Sequence, residues 1–120
     1  FKISEGGWID PGGGRVARSP DAALTDVDAI INPGRYAADE RFVFQKAFSP
    51  ADLVYEASST LACTCFLDFG DANDDGNGND PEFWEIGIFD AAGNMLSHST
   101  FPKQTKNISV QLTNVVRLVY

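Results

Sequence analysis

From residue 41 onward, apolar and polar side chains alternate with a period of two. "RFVFQKAF" (41–48) sets Phe42, Phe44 and Lys46 on one face against Val43, Gln45 and Ala47 on the other. "TLACTCFLDF" (60–69) puts Leu61, Cys63, Cys65, Leu67 and Phe69 on one side of a strand and Ala62, Thr64, Phe66 and Asp68 on the other, so one side is strongly buried. "FWEIGIFD" (83–90) sets Trp84, Ile86 and Ile88 against Phe83, Glu85, Gly87 and Phe89. The turn "DAAGN" and the run "NMLSHSTF" complete a hairpin. "NISVQLTNVVRLVY" (107–120) alternates through Ile108, Val110 and Leu112, then places Val116, Leu118 and Tyr120 on one face. Helix signals are nearly absent, so the pattern predicts an all-β fold: a small antiparallel β-sandwich or a partly open barrel.

Residues 1–40 have a different texture. "EGGWIDPGGGRVARSPD" holds five glycines and two prolines in 17 residues, and "NPGRY" follows. The stretch reads as an extended N-terminal arm ahead of a β-rich domain at 41–120. Its large apolar residues, Trp8, Ile9, Leu24, Val27, Ile30 and Ile31, stand apart along a flexible segment. They suit docking on another surface, or packing on the domain's own core. "DAALTDVDAI" predicts one short helix, since Leu24, Val27 and Ile31 fall at i, i+3, i+7.

Composition narrows the partners. The 120 residues are 43% hydrophobic, enough for one core and too few for two domains. With 17 acidic against 9 basic side chains the formal charge is -8, which disfavours nucleic acid and anionic membrane surfaces. No apolar run is long enough to span a membrane, and no signal peptide is visible at the N-terminus. Cys63 and Cys65, at i and i+2 on one strand face, are too parallel for an easy disulfide, and a metal site would need further Cys or His beyond the single His98. Two buried free thiols suit a reducing compartment.

"DANDDGNGNDPE" (71–82) fits the calcium-loop pattern D-x-[DN]-x-[DN]-G-x5-E throughout. Asp71, Asn73 and Asp75 would supply the first oxygens, Gly76 the bend, Asn77 a carbonyl, Asn79 a direct or water-mediated contact and Glu82 a bidentate carboxylate. An EF-hand is nearly excluded. The loop lies between strands, Gly78 stands where an apolar residue is usual, and Pro81 precedes the glutamate. Two readings stand: calcium bound in a non-helical setting, or a solvated connection whose Asp, Asn and Gly content is turn chemistry.

Catalytic chemistry is thinly represented, and the chain is expected not to be an enzyme. His98 lies between Ser97 and Ser99 on a strand, where alternation turns it from both neighbours; a surface or interface position is expected. Asp68, Glu82 and Glu85 are the candidate carboxylates for a cross-strand pair, but nothing sets their separation. "DPGGGRVAR" follows no strand and opens no helix, so it is not a phosphate loop.

The stretch "EFWEIGIFDAAGNMLSHSTFPKQTK" (82–106) resembles the E-[IL]-G-[LIV]-[FYW]-D…G-[ND]-x-[LI]…[FY]-P-x-x-x-K signature of tail-fibre, tail-collar and baseplate-associated structural proteins of tailed bacteriophages. Glu85, Ile86, Gly87, Ile88, Phe89, Asp90, Gly93, Asn94, Leu96, Phe101, Pro102 and Lys106 match it. On the residues themselves, Gly87 marks a bulge or a close backbone approach, Asp90 and Asn94 bracket the turn, and Pro102 ends the second strand. The resemblance implies a virion structural protein of the phage tail, assembled in the bacterial host cytoplasm, with other phage structural proteins and copies of itself as partners. The alternative is a calcium-dependent carbohydrate-binding β-sandwich, with Trp8, Tyr36, Tyr55 and Trp84 as candidate sugar-stacking aromatics and a host-surface glycan as ligand.

Overall fold

A computed structural model describes residues 1–119; Tyr120, expected to share a strand face with Val116 and Leu118, lies outside the described residues. Among the described residues nine strands form: β1 (Lys2–Ser4), β2 (Trp8–Ile9), β3 (Val16–Ala17), β4 (Val43–Gln45), β5 (Leu53–Ala57), β6 (Thr60–Leu67), β7 (Glu82–Phe89), β8 (Met95–Thr105) and β9 (Leu112–Val119). A short α-helix, α1 (Asp28–Ile31), lies between β3 and β4, followed by two 3-10 turns. Two antiparallel sheets, β4-β1-β7-β8 and β5-β6-β9, carry the architecture, with β2 and β3 as a separate small hairpin. The all-β, sandwich-like expectation holds.

The core lies between the two sheets. Ile3, Phe44 and Ile86 occupy one register line across β1, β4 and β7. Against them stand Cys63, Cys65 and Leu67 of β6 with Leu112, Val116 and Leu118 of β9. Phe83 is wholly buried there, a contribution of about 2–3 kcal/mol by transfer of its ring from water. The two thiols are free and buried as expected, and burial pushes the Cys65 thiol up to about 12. Phe69, expected on the buried face, is instead exposed beyond the end of β6.

The β7–β8 hairpin forms with its turn at Asp90–Asn94, where Asp90 N–H donates to Asn94 O at 3.0 Å and Gly93 takes φ +88°. Two details differ from the alternation. Phe83 pairs with Gln104 but Glu85 with Thr100, so Phe101, Pro102 and Lys103 stand opposite Trp84 alone. This bulge resets the phase: Phe83 joins Ile86 and Ile88 in the core, and Trp84 does not belong to that cluster. Pro102 therefore sits within β8 rather than ending it, because a bulge asks no ladder N–H of it.

The N-terminal segment is not an extended arm. β1 is an inner strand of the four-stranded sheet, hydrogen-bonded to β4 on one side and β7 on the other, and Phe1 and Ile3 are core residues. Residues 5–41 fold back over the sheet's outer face, so the 1–40 and 41–120 division does not correspond to separate bodies. Val27, expected as a docking residue, has no exposed surface; Trp8 and Leu24 are half-buried, and Ile9, Ile30 and Ile31 remain exposed. The physical reason is the sheet itself, since β7 needs a partner on its second side and the first residues supply it. The predicted helix is confined to four residues that begin after Val27.

Candidate functional site

Under the folded-back segment, the outer face of the first sheet carries polar groups. The pairs Ser4–Glu85, Glu85–Thr100 and Gly87–His98 put these residues on one side of β1, β7 and β8. Glu85 is fully buried. Its Oε1 accepts from Asp28 N–H at 2.7 Å and meets His98 Nε2 at 2.7 Å; its Oε2 accepts from Ser4 Oγ at 2.6 Å and Ala29 N–H at 3.1 Å. A distant strand carboxylate thus satisfies the first N–H groups of α1. His98 Nδ1 accepts Asp21 N–H at 3.1 Å, so Nε2 holds the ring proton and donates it to Glu85. His98, expected at a surface or interface, is instead buried against the carboxylate.

A second buried carboxylate lies beside it. Asp28 receives Arg18 Nη1 at 2.7 Å, Arg35 Nη1 at 3.0 Å, Asn32 Nδ2 at 2.6 Å and the Tyr36 hydroxyl. Burial, reinforced by the Asp28 contact, raises the Tyr36 phenol well above its usual range. Tyr36 also accepts Gly7 N–H at 2.9 Å, and Gly7 can only be glycine there: its φ is +87°, and a Cβ would lie 2.6 Å from Glu85 Cβ. This network fastens the covering segment to the sheet. Gly87 marks a close approach, but of side chains: an added Cβ would meet Phe89 at 2.8 Å and both Met95 Sδ and Val27 Cγ1 at 3.2 Å.

The acidic loop divides into two halves. Asp71 receives Lys46 Nζ at 2.7 Å, which with Asp68 N–H holds its carboxyl below the usual range. Asn73 donates to Phe69 O and accepts from Lys106 Nζ, both at 2.6 Å. Asp75 Oδ1 accepts the N–H groups of Asn77 and Asn79, while Gly76 and Gly78 take positive φ, which is Asx-turn geometry. Asp75, Asn79 and Glu82 line a pocket of about 250 Å³ with Glu5, Asp39 and Glu40. Asp71 and Asn73 are turned to the lysines instead, and among the described residues no three Asp, Glu, His or Cys side chains are gathered to hold a metal. Glu5 borders this pocket; burial raises its carboxyl above the ordinary value, and the N–H groups of Glu82 and Phe42 partly offset that.

Of the candidate carboxylates, Glu82 pairs with Lys103 at 3.5 Å, Asp68 accepts from Gln111 at 2.8 Å, and Glu85 is sealed in the interior, so they form no pair. Of the four candidate aromatics, Tyr36 and Trp84 are buried, Trp8 packs against Tyr36 with the Arg15 guanidinium 3.9 Å from its ring centre, and Tyr55 stands open at 69% exposure. The second sheet supplies the apolar surface. Every residue of β5 is exposed, and the outward positions of β9 include Val115 and Val119.

The contacts of Glu85, His98 and Lys106 were not anticipated from the sequence. The turn at 90–94 did not supply the signal: plain pairing from Phe89–Met95 would set Gly87 and Glu85 opposite Ser97 and Ser99, and only the register shift between Ile88 and Phe89 brings them opposite His98 and Thr100. Comparison with known protein families, characterised proteins and solved structures yields no match for this chain.

Proposed function

We propose that the chain is a virion structural protein of a tailed bacteriophage, built into the tail, baseplate or fibre-attachment region beside copies of itself and neighbouring tail proteins. The observation that carries this reading is where the signature residues lie. Glu85 anchors the covering segment, Ile86 and Ile88 fill the core, Gly87 admits Val27, Asp90, Gly93 and Asn94 make the turn, and Lys106 closes the end of β8. The motif is a recipe for a rigid hairpin, as a repeated assembly part requires. With Val27 inside, the contact surface passes from the N-terminal segment to the second sheet, where β5 is a free edge carrying exposed Leu53, Val54 and Tyr55.

Size-exclusion chromatography with light scattering, in calcium and again in EDTA, tests this. A discrete oligomer indifferent to EDTA is expected. The second reading, calcium-dependent carbohydrate binding, draws on the pocket of Asp75, Asn79 and Glu82. A monomer whose hydrodynamic size depends on calcium would favour that reading and overturn the first.

A further inference from the structure

Lys106 has no exposed surface, and the hydrogen-bond partners of its Nζ among the described residues are neutral: Asn73 Oδ1 at 2.6 Å and Asn107 O at 2.9 Å. A buried ammonium is ordinarily paired with a carboxylate, because neutral acceptors compensate its desolvation poorly. Both partners are held in place. Lys106 N–H donates to Pro81 O at 2.9 Å, and Asn73 Nδ2 donates to Phe69 O, which presents the amide oxygen to the lysine.

We propose that Lys106 and Asn73 react with each other to form an intramolecular amide crosslink. With a carbonyl bond of ~1.23 Å, the 2.6 Å approach to Oδ1 puts Nζ roughly 3–3.5 Å from Asn73 Cγ, so that a turn of the amide to present its face to the amine is the only movement the attack requires. The amine attacks Cγ, the Nζ–Cγ bond forms and the Cγ–Nδ2 bond breaks. The two protons that Nζ gives up leave on the departing nitrogen, so a lysine ammonium and a carboxamide become a secondary amide and an ammonium ion. Nothing is oxidised or reduced, and no co-reactant is needed. Burial favours the neutral, nucleophilic amine, against the opposing charges of Asp71 and Asp68. The product ties the 71–82 loop to the end of β8 across 33 residues of chain.

Mass spectrometry of the purified, folded full chain after denaturation tests this. The chain is expected to be lighter than its sequence by one ammonia, to resist tryptic cleavage after Lys106, and to yield a branched peptide joining residues 73 and 106. Lys106→Met and Asn73→Ala should restore the full mass, whereas Asn77→Gln, which removes the imide-prone Asn77–Gly78 step, should leave the loss in place. A wild-type chain that keeps its full mass after prolonged incubation in the folded state overturns the proposal. So does an ammonia loss that Asn77→Gln abolishes and Lys106→Met retains.

Discussion

Glu85 Oε1 lies 2.7 Å from His98 Nε2, and the two side chains are withdrawn from solvent at 0% and 2% exposure. The pair sits where the covering segment meets the sheet, and the same carboxylate takes two backbone N–H groups of α1 and the Ser4 hydroxyl. Removing it strands four buried donors at once. Glu85→Ala is expected to cost about 3–5 kcal/mol and Glu85→Gln about 1–3 kcal/mol. Urea unfolding followed by tryptophan fluorescence measures both, and an alanine variant within about 0.5 kcal/mol of wild type would refute the anchoring role.

Gly87 and Val27 make a matched pair, one lacking the atom that the other's methyl approaches. Gly87→Ala is expected to destabilise by about 1–3 kcal/mol through overpacking. Because a Cβ there would meet Val27 Cγ1 at 3.2 Å, the double variant with Val27→Ala should lose less than the sum of the two singles. Strict additivity in the double-mutant cycle would mean that the strain goes to Phe89 and Met95 instead.

Asp71 supplies a pH dependence. Lys46 and the Asp68 N–H hold its carboxyl below the ordinary value. Its folded pKa is thus below its unfolded one, so the stabilisation is complete above the unfolded value of about 3.9 and is lost as pH falls through the folded one. Asp71→Asn is expected to cost about 1 kcal/mol near neutral pH, and the gap to wild type should close in acid. Denaturant melts across that range are the check, and a gap independent of pH would remove the ion pair from the account.

The outer surface of the second sheet can be probed without touching the core. Val54→Lys with Tyr55→Lys should leave unfolding within about 0.5 kcal/mol of wild type while shifting the light-scattering mass towards the monomer. An unchanged oligomer would move the contact to another edge.

What was legible in the sequence follows from local rules. Alternation in 60–67 and 112–119 reports directly which side of a strand meets the core, and "DAAGN" specifies a turn whatever surrounds it. The buried thiols, the all-β class and the β7–β8 hairpin come from such short-range constraints. The bulge opposite Trp84 escaped because it arises from pairing with β8, which strict alternation along β7 does not encode.

Only the tertiary structure decided where the first 40 residues go. A glycine- and proline-rich stretch with scattered apolar residues has the same local pattern whether it reaches outward or folds back. Its place is set by long-range hydrogen bonds: β1 to β7, Asp28 N–H to Glu85, Asp21 N–H to His98. The acidic loop behaved alike, since spacing named six candidate ligand residues but Lys46 and Lys106, distant in sequence, took Asp71 and Asn73. By itself the sequence determined β4, β6, β9 and the β7–β8 hairpin with its turn, because these depend on neighbours in the chain; the tertiary structure decided where β1 pairs, that Phe83 and not Trp84 joins the core cluster, and which buried charges meet, because those depend on neighbours in space.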